Sequence, residues 1–191
     1  MNSILRLPVI ALISLLATGA TSLASPTIWN GPLITFSKAN FANPSLAANQ
    51  DRIATDLWLT RGSSQGLYNA HTESSFSHFS SPSGTEWADG TLANYASLSY
   101  HDWNSWVKGV HPGPLSTVGV QAVVHIIPDD IYFSIKFNSW TSGGSGGGFS
   151  YQRSTPTVVP EPAAGLLLLA GLSMAALTRN KSLRFLSTRD V

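Results

Sequence analysis

The sequence predicts a mainly β fold, an antiparallel β-sandwich of jelly-roll type, with a signal peptide at its N-terminus and a transmembrane helix at its C-terminus. Three observations point there. Ile131 to Asn138 alternates strictly between apolar and polar residues, with Ile131, Phe133, Ile135 and Phe137 on one face. Short β-favouring runs recur between turn-forming clusters. Two apolar segments stand apart at the ends.

At the N-terminus Arg6 supplies a short positive region and Leu7 to Leu16 an apolar stretch. Ser22-Leu23-Ala24 places small residues where a signal peptidase reads. The expected leader is therefore 1–24, cleaved after Ala24, with a retained anchor as the other reading. The mature chain has no cysteine, so disulfides, thiolate metal sites and cysteine nucleophiles are excluded.

Between the ends, 25–158 is long enough for one hydrophobic core. Expected strands are Leu33 to Ser37, Asp56 to Arg61, Val118 to Ile127, Ile131 to Asn138 and Phe149 to Arg153, with Tyr95 to Tyr100 a weaker one. Pro128-Asp129-Asp130 reads as the turn joining two of them into a hairpin. Other turn signals are Asn30-Gly31-Pro32, Gly62 to Gly66, Ser81 to Gly84, His111 to Pro114 and Gly143 to Gly148. Pro44 to Ala54 holds one short helix or helical turn, with Ser45 as its cap.

This body carries six basic and eight acidic side chains, a formal charge of −2, while the whole chain is +1. Charged residues are 11% of the sequence, against about 25% in an average globular protein. No basic field suited to nucleic acid exists.

At the C-terminus, Val159-Pro160-Glu161-Pro162 precedes sixteen uncharged residues, 163–178. As a helix they would span about 24 Å, close to a bilayer core. Arg179, Lys181 and Arg184 follow, so the tail 179–191 is expected to stay in the cytoplasm and the body to lie outside. A buried core helix would show a polar stripe, which this segment lacks.

The Pro-Glu-Pro, the apolar helix and the Arg-led basic cluster, in this order, resemble the PEP-CTERM sorting signal. That resemblance makes 159–191 the sorting signal and Pro160 to Pro162 its recognised motif. It implies exosortase as a partner beside signal peptidase, transient residence in the inner membrane, and association with exopolysaccharide and biofilm. The tail is longer here than is usual in the family. Segments such as "ITFSKANFANPSLAANQDRI", "LWLTRG" and "GTEWADGT" also resemble a recurrent extracellular domain of exported bacterial proteins. That second resemblance implies the domain boundaries and a β-rich body, and no activity.

Candidate chemistry in the body is sparse. Gly62 to Gly66 matches G-x-S-x-G, which would make Ser64 a nucleophile, with Asp89 or Asp102 and His111 or His125 following. No helix is expected after it, so a hairpin loop is the plainer reading. Gly143 to Gly148 lacks the Lys-Ser/Thr of a phosphate loop and reads as a flexible connection between strands. His71, His78 and His101 lack metal-ligand spacing, and Asp129-Asp130 reads as a turn before a calcium site. Glu86 and Asp89 would be a glycosidase pair only if set across a cleft. No cofactor or metal is expected. Tyr100, Trp103 and Trp106 are the candidate ligand contacts: exposed, they would stack on sugar rings; buried, they would be core. The expected function is that of a non-catalytic surface or matrix protein, with a carbohydrate-binding module and then a small secreted hydrolase as the alternatives.

Overall fold

The computed structural model describes residues 25–157. The leader 1–24, the motif residues Val159 to Pro162, the apolar segment 163–178 and the basic Arg179, Lys181 and Arg184 lie outside them. Among the described residues no helix is long and apolar enough to cross a membrane.

The fold is mainly β, with antiparallel sheets and few helices. Its strands are β1 Thr27–Trp29, β2 Leu33–Lys38, β3 Asp51–Arg52, β4 Trp58–Arg61, β5 Leu67–Asn69, β6 Thr85–Asp89, β7 Gln121–Ile126, β8 Ile131–Trp140 and β9 Phe149–Ser154. The larger sheet runs β2-β9-β8-β7-β6, and β3-β4-β5 form a smaller one. Pairing is antiparallel except where β1 lies parallel to the start of β8, Thr27 opposite Ile131. That edge of β8 is open to β1 because β9 begins its pairing with β8 only at Ile135.

Alternation explains the larger sheet. Phe133, Ile135 and Phe137 of β8 are buried, and Val124 and Ala122 of β7 pair with the first two and point the same way. β7 and β8 form the expected hairpin around Pro128-Asp129-Asp130, with Ile126 opposite Ile131. A bulge then interrupts β8. Phe137 pairs with Tyr151 and Ser139 with Ser150, so Asn138 is the extra residue. One inserted residue reverses the phase of alternation. Trp140 therefore returns to the same face as Phe137, and both are buried.

The core joins these side chains to Leu59 and Leu67 of the small sheet and to Trp87, Trp103, Trp106, Phe149 and Tyr151. Trp87 is at its centre, 4.8 Å from Trp103 and 5.6 Å from Trp106 between ring centroids. These offset and edge-on contacts bury large apolar rings without loss of packing.

Three expectations about local structure are corrected. Tyr95 to Tyr100 is not a strand: Leu92–Ser97 is a helical turn. The Thr91 backbone N–H donates to Asn94 Oδ1 at 3.0 Å, and this local bond competes successfully with a sheet ladder. Ser45 caps nothing. The helical turn is Ala47–Asn49, entered from Leu46, and Ser45 N donates to Asn43 Oδ1 instead. The strand expected from Val118 starts at Gln121, because Pro114–Thr117 forms another helical turn first.

Candidate functional site

A cleft of about 540 Å³ opens beside the small sheet. That volume lies within the roughly 300–1,000 Å³ usual for small-molecule sites. Each wall comes from a different part of the chain. β4 ends at Arg61, and the β4–β5 hairpin loop adds Ser64, Gln65 and Gly66. The long connection before β6 adds Phe76 and His78. The helical segment Trp103–Ser105, continued as a π-turn over Trp106–Val110, adds Trp103, Asn104, Val107 and Lys108. Pro112 to Ser116 closes one side, and Trp140, Ser142 and Gly143 complete the other.

The helical segment starts where it does because Asp102 caps it. Its Oδ1 accepts from Ser105 N at 3.0 Å and its Oδ2 accepts from the Ser105 hydroxyl at 2.5 Å. Just before the cap, His101 exchanges two backbone hydrogen bonds with Trp87 across the edge of β6. The chain therefore passes around the sheet edge. Tyr100 remains on the outer face, half-buried beside Tyr132 and His125, and Trp103 enters the core.

That crossing separates the three candidate ligand contacts. Trp103 is 1% exposed and lines the cleft. Trp106 is fully buried away from it, its Nε1 donating to Asp89 Oδ1 at 2.8 Å. Tyr100 donates its hydroxyl proton to the Tyr95 carbonyl at 3.0 Å. Of the three, only Trp103 reaches the cleft, and the stacking platform of all three does not form. Packing on Trp87 and Phe137 is the reason.

Trp103 Nε1 is buried and has no hydrogen-bond partner among the described residues. It adjoins Gly66, where an added Cβ would approach within 2.8 Å of Nε1 and also overlap the Phe76 ring. Glycine at 66 is thus what lets the hairpin loop lie against the two aromatic walls. Trp140 reaches the cleft through the bulge at Asn138. The guanidinium of Arg61 lies over its ring, 3.9 Å from the centroid.

Arg61 is 2% exposed. Its Nε donates to the Gln65 carbonyl at 2.8 Å and its Nη1 to the carbonyls of Thr141 and Gly148 at 2.9 and 3.4 Å. Burial pushes its pKa down to about 10. Lys38 is also buried, and its pKa is lowered by burial first and by the Arg61 charge second.

On the opposite wall His78 Nδ1 lies 3.0 Å from Asn104 Oδ1. Among the described residues Ser64 and His78 share the cleft without a hydrogen bond between them. The other partners considered for Ser64 are elsewhere. Asp102 caps a helix. His111 Nε2 meets Asp89 at 2.9 Å. His125 is held on the outer face by Glu86 at 2.8 Å and Asp130 at 3.1 Å. Strand β5, not a helix, follows the G-x-S-x-G loop. Glu86 is engaged by His125 and Asp89 by Trp106 and His111, three positions apart on β6, so they do not face each other across a cleft. Among the described residues no three His, Asp or Glu side chains gather as a metal site.

Gly143 to Gly148 joins β8 to β9 as expected, but its second half is packed and not free. Gly146, Gly147 and Gly148 are buried. A Cβ on Gly147 would overlap the Gly62 carbonyl, and one on Gly148 would meet Asn40. The Asn40 side chain fastens this loop, accepting from Gly148 N and from the Thr141 hydroxyl at 2.9 Å each.

Sequence reasoning found Trp103 and the two glycine loops. It missed Arg61, Phe76, His78 and Trp140 as wall residues. The signal for Arg61 was legible: a cation ending a strand in a chain of few charges. Comparison with protein-family models, with curated proteins and with solved structures finds no match to this chain.

Proposed function

We propose that the chain is an exported, non-catalytic protein of the cell surface or extracellular matrix, processed by exosortase and associated with exopolysaccharide. The observation that carries this reading is the ordered C-terminal set: Pro160-Glu161-Pro162, the uncharged 163–178, then Arg179, Lys181 and Arg184. The leader 1–24 agrees with it. In this reading the precursor is anchored in the inner membrane, and the body is a two-layer sandwich of jelly-roll type presented outside. The core shared by Leu59 and Leu67 with Val124 and Phe133 supports the two-layer arrangement. The dispersal of Ser64, Glu86 and Asp89 among separate environments supports a non-catalytic role. Intact-mass measurement of the protein from cell surface and medium, with and without exosortase, tests the reading. Two cuts are expected, one after Ala24 and one near Pro160 to Pro162. An uncut cytosolic chain overturns it.

The cleft favours a second reading for the body itself, that of a carbohydrate-binding module. The half-buried Phe76 ring, set among the hydroxyl and amide groups of Ser64, Gln65, Asn104 and Ser116, suits the mixed apolar and polar faces of a sugar. Retardation of the protein on polysaccharide affinity gels is expected, and free migration through every gel counts against it.

A further inference from the structure

We infer that the cleft takes an acidic saccharide, a sugar ring bearing a carboxylate, with Arg61 and Lys108 supplying the charge that recognises it. This rests on the carbohydrate-binding reading of the cleft and narrows it.

The first ground is the charge of the walls. The body is formally −2, yet none of the residues lining the cleft is Asp or Glu. Two cations line it: Arg61 at its base and Lys108, exposed, at its rim. A cleft of one sign with apolar walls concentrates ligands of the opposite sign.

The second ground is Arg61 itself. This fold neutralises its other buried arginine thoroughly: Arg153 meets Asp51 through two hydrogen bonds of 2.7 and 2.9 Å. Among the described residues Arg61 has no such partner. Three carbonyl oxygens and the Trp140 ring hold its guanidinium in place without bringing a formal negative charge. These bonds use Nε and Nη1, and among the described residues none engages Nη2. A buried cation without a counter-charge is costly to maintain. Lys38 adds a second positive charge behind it. A carboxylate in the cleft would answer the Arg61 charge and give Nη2 an acceptor.

The third ground selects a sugar acid from among anions. Polyphosphates are met by glycine loops at helix N-termini or by clusters of cations, and here a single fixed guanidinium and a single rim ammonium share the cleft with the half-buried Phe76 ring. Ser64, Ser116, His78 and Asn104 add groups suited to the hydroxyls of a ring.

The test uses the full-length chain in mild detergent, with tryptophan fluorescence and calorimetry as readouts. The probes are glucuronate-containing oligosaccharides, the same oligosaccharides with their carboxylates reduced to alcohols, and acetate and inorganic phosphate alone. The uronate oligosaccharides should bind at least about tenfold more tightly than the reduced ones, and the difference should shrink as salt rises. Lys108→Glu, at an exposed position, should weaken uronate binding by about tenfold with an unchanged melting temperature. Arg61→Gln should abolish the preference; if that variant does not fold, Lys108→Glu carries the test. Equal binding of acidic and reduced oligosaccharides overturns the inference and leaves the carbohydrate reading standing. Absence of binding to either overturns both. Acetate or phosphate binding as tightly as the uronates overturns the assignment to a sugar.

Discussion

Asp51 of β3 and Arg153 of β9 link the smaller sheet to the larger one, Oδ2 on Nε at 2.7 Å and Oδ1 on Nη2 at 2.9 Å. The Tyr151 hydroxyl donates to the same Oδ2 at 2.7 Å. All three side chains are buried. A two-residue strand such as β3 has little ladder of its own, and this fork of charge-assisted bonds fastens it to the larger sheet.

Removing one member of such a pair leaves the other charged and dry. Asp51→Ala is expected to cost about 3–5 kcal/mol of stability. Tyr151→Phe, which removes a single bond to the carboxylate, is expected to cost about 1.5–3 kcal/mol. Urea unfolding followed by tryptophan fluorescence measures both. Equal, near-zero losses would mean that β3 is held by something else.

Alkaline pH should unfold this protein from about pH 10 upward. Tyr68, Tyr100, Tyr132 and Tyr151 all hold their protons above the ordinary 10.0, in each case through burial first, then through a nearby carboxylate for Tyr68, Tyr132 and Tyr151 and through the neighbouring Tyr132 for Tyr100. Above that value the unfolded chain has released these protons and the folded chain has not. The unfolded state binds fewer protons, so stability falls as pH rises. Arg61 works in the opposite sense, because its lowered pKa makes the unfolded chain the better proton binder above about pH 10. Lys38 joins it, but Arg153, lowered by burial and raised further by its hydrogen bond to and the charge of Asp51, stands with the tyrosines, so two groups oppose five. Tyrosinate absorbance and circular dichroism should therefore change together. Tyrosinate forming from four of the five tyrosines while the sheet signal persists would refute this.

Two glycines of the same loop should respond to alanine with opposite signs. Gly147 has φ 66° and a Cβ there would overlap the Gly62 carbonyl. Gly147→Ala is expected to cost at least about 1–3 kcal/mol. Gly144 has open space around it, and Gly144→Ala is expected to be neutral or to gain about 0.4–1 kcal/mol. Thermal melts of the two variants decide the matter.

Deleting Asn138 should be far worse than substituting it. Its side chain is exposed, so Asn138→Ser is expected to stay within about 0.5 kcal/mol of the parent. Deletion turns Trp140 out of the core, which is expected to cost about 3–5 kcal/mol, as truncation of a buried tryptophan does. The same deletion should strip Arg61 of its ring partner. Denaturant midpoints of the two variants test the role of the bulge.

Legibility of the fold followed the length of each element. β8, β7, β2 and β9 were found because six or more residues give alternation room to declare itself, and the four-residue β4 was found within the β-favouring run Asp56 to Arg61. β5 is Leu67–Asn69 and β3 is two residues, too short for any pattern, and β6, "TEWAD", hides behind two acids that point to different partners. β8 was expected to stop at Asn138 for a physical reason: the bulge breaks the alternation at that residue, and the strand continues in reversed phase. The cleft was legible only in part. Trp103 and the hairpin loop were visible as motifs. Phe76 and His78 come from a connection without regular structure, and Trp140 arrives by a register shift that only pairing reveals. Thr91 to Asn94 did carry its own signal, a Thr followed three residues later by an amide that bonds back to it. The β-favouring tyrosines after it masked that signal.

Strand β9 has the cleft at one end and the chain exit at the other. Gly148, just before it, holds Arg61, and Thr155 and Thr157, just after it, are bonded to the Asn30–Pro32 turn. A ligand gripped in the cleft and a pull on the chain beyond Thr157 would therefore act along the length of this one strand. β2 and β8 flank it, and both ladders lie crosswise to such a pull. Force would have to break those rungs together and not one after another, so the sheet is braced against tension in that direction.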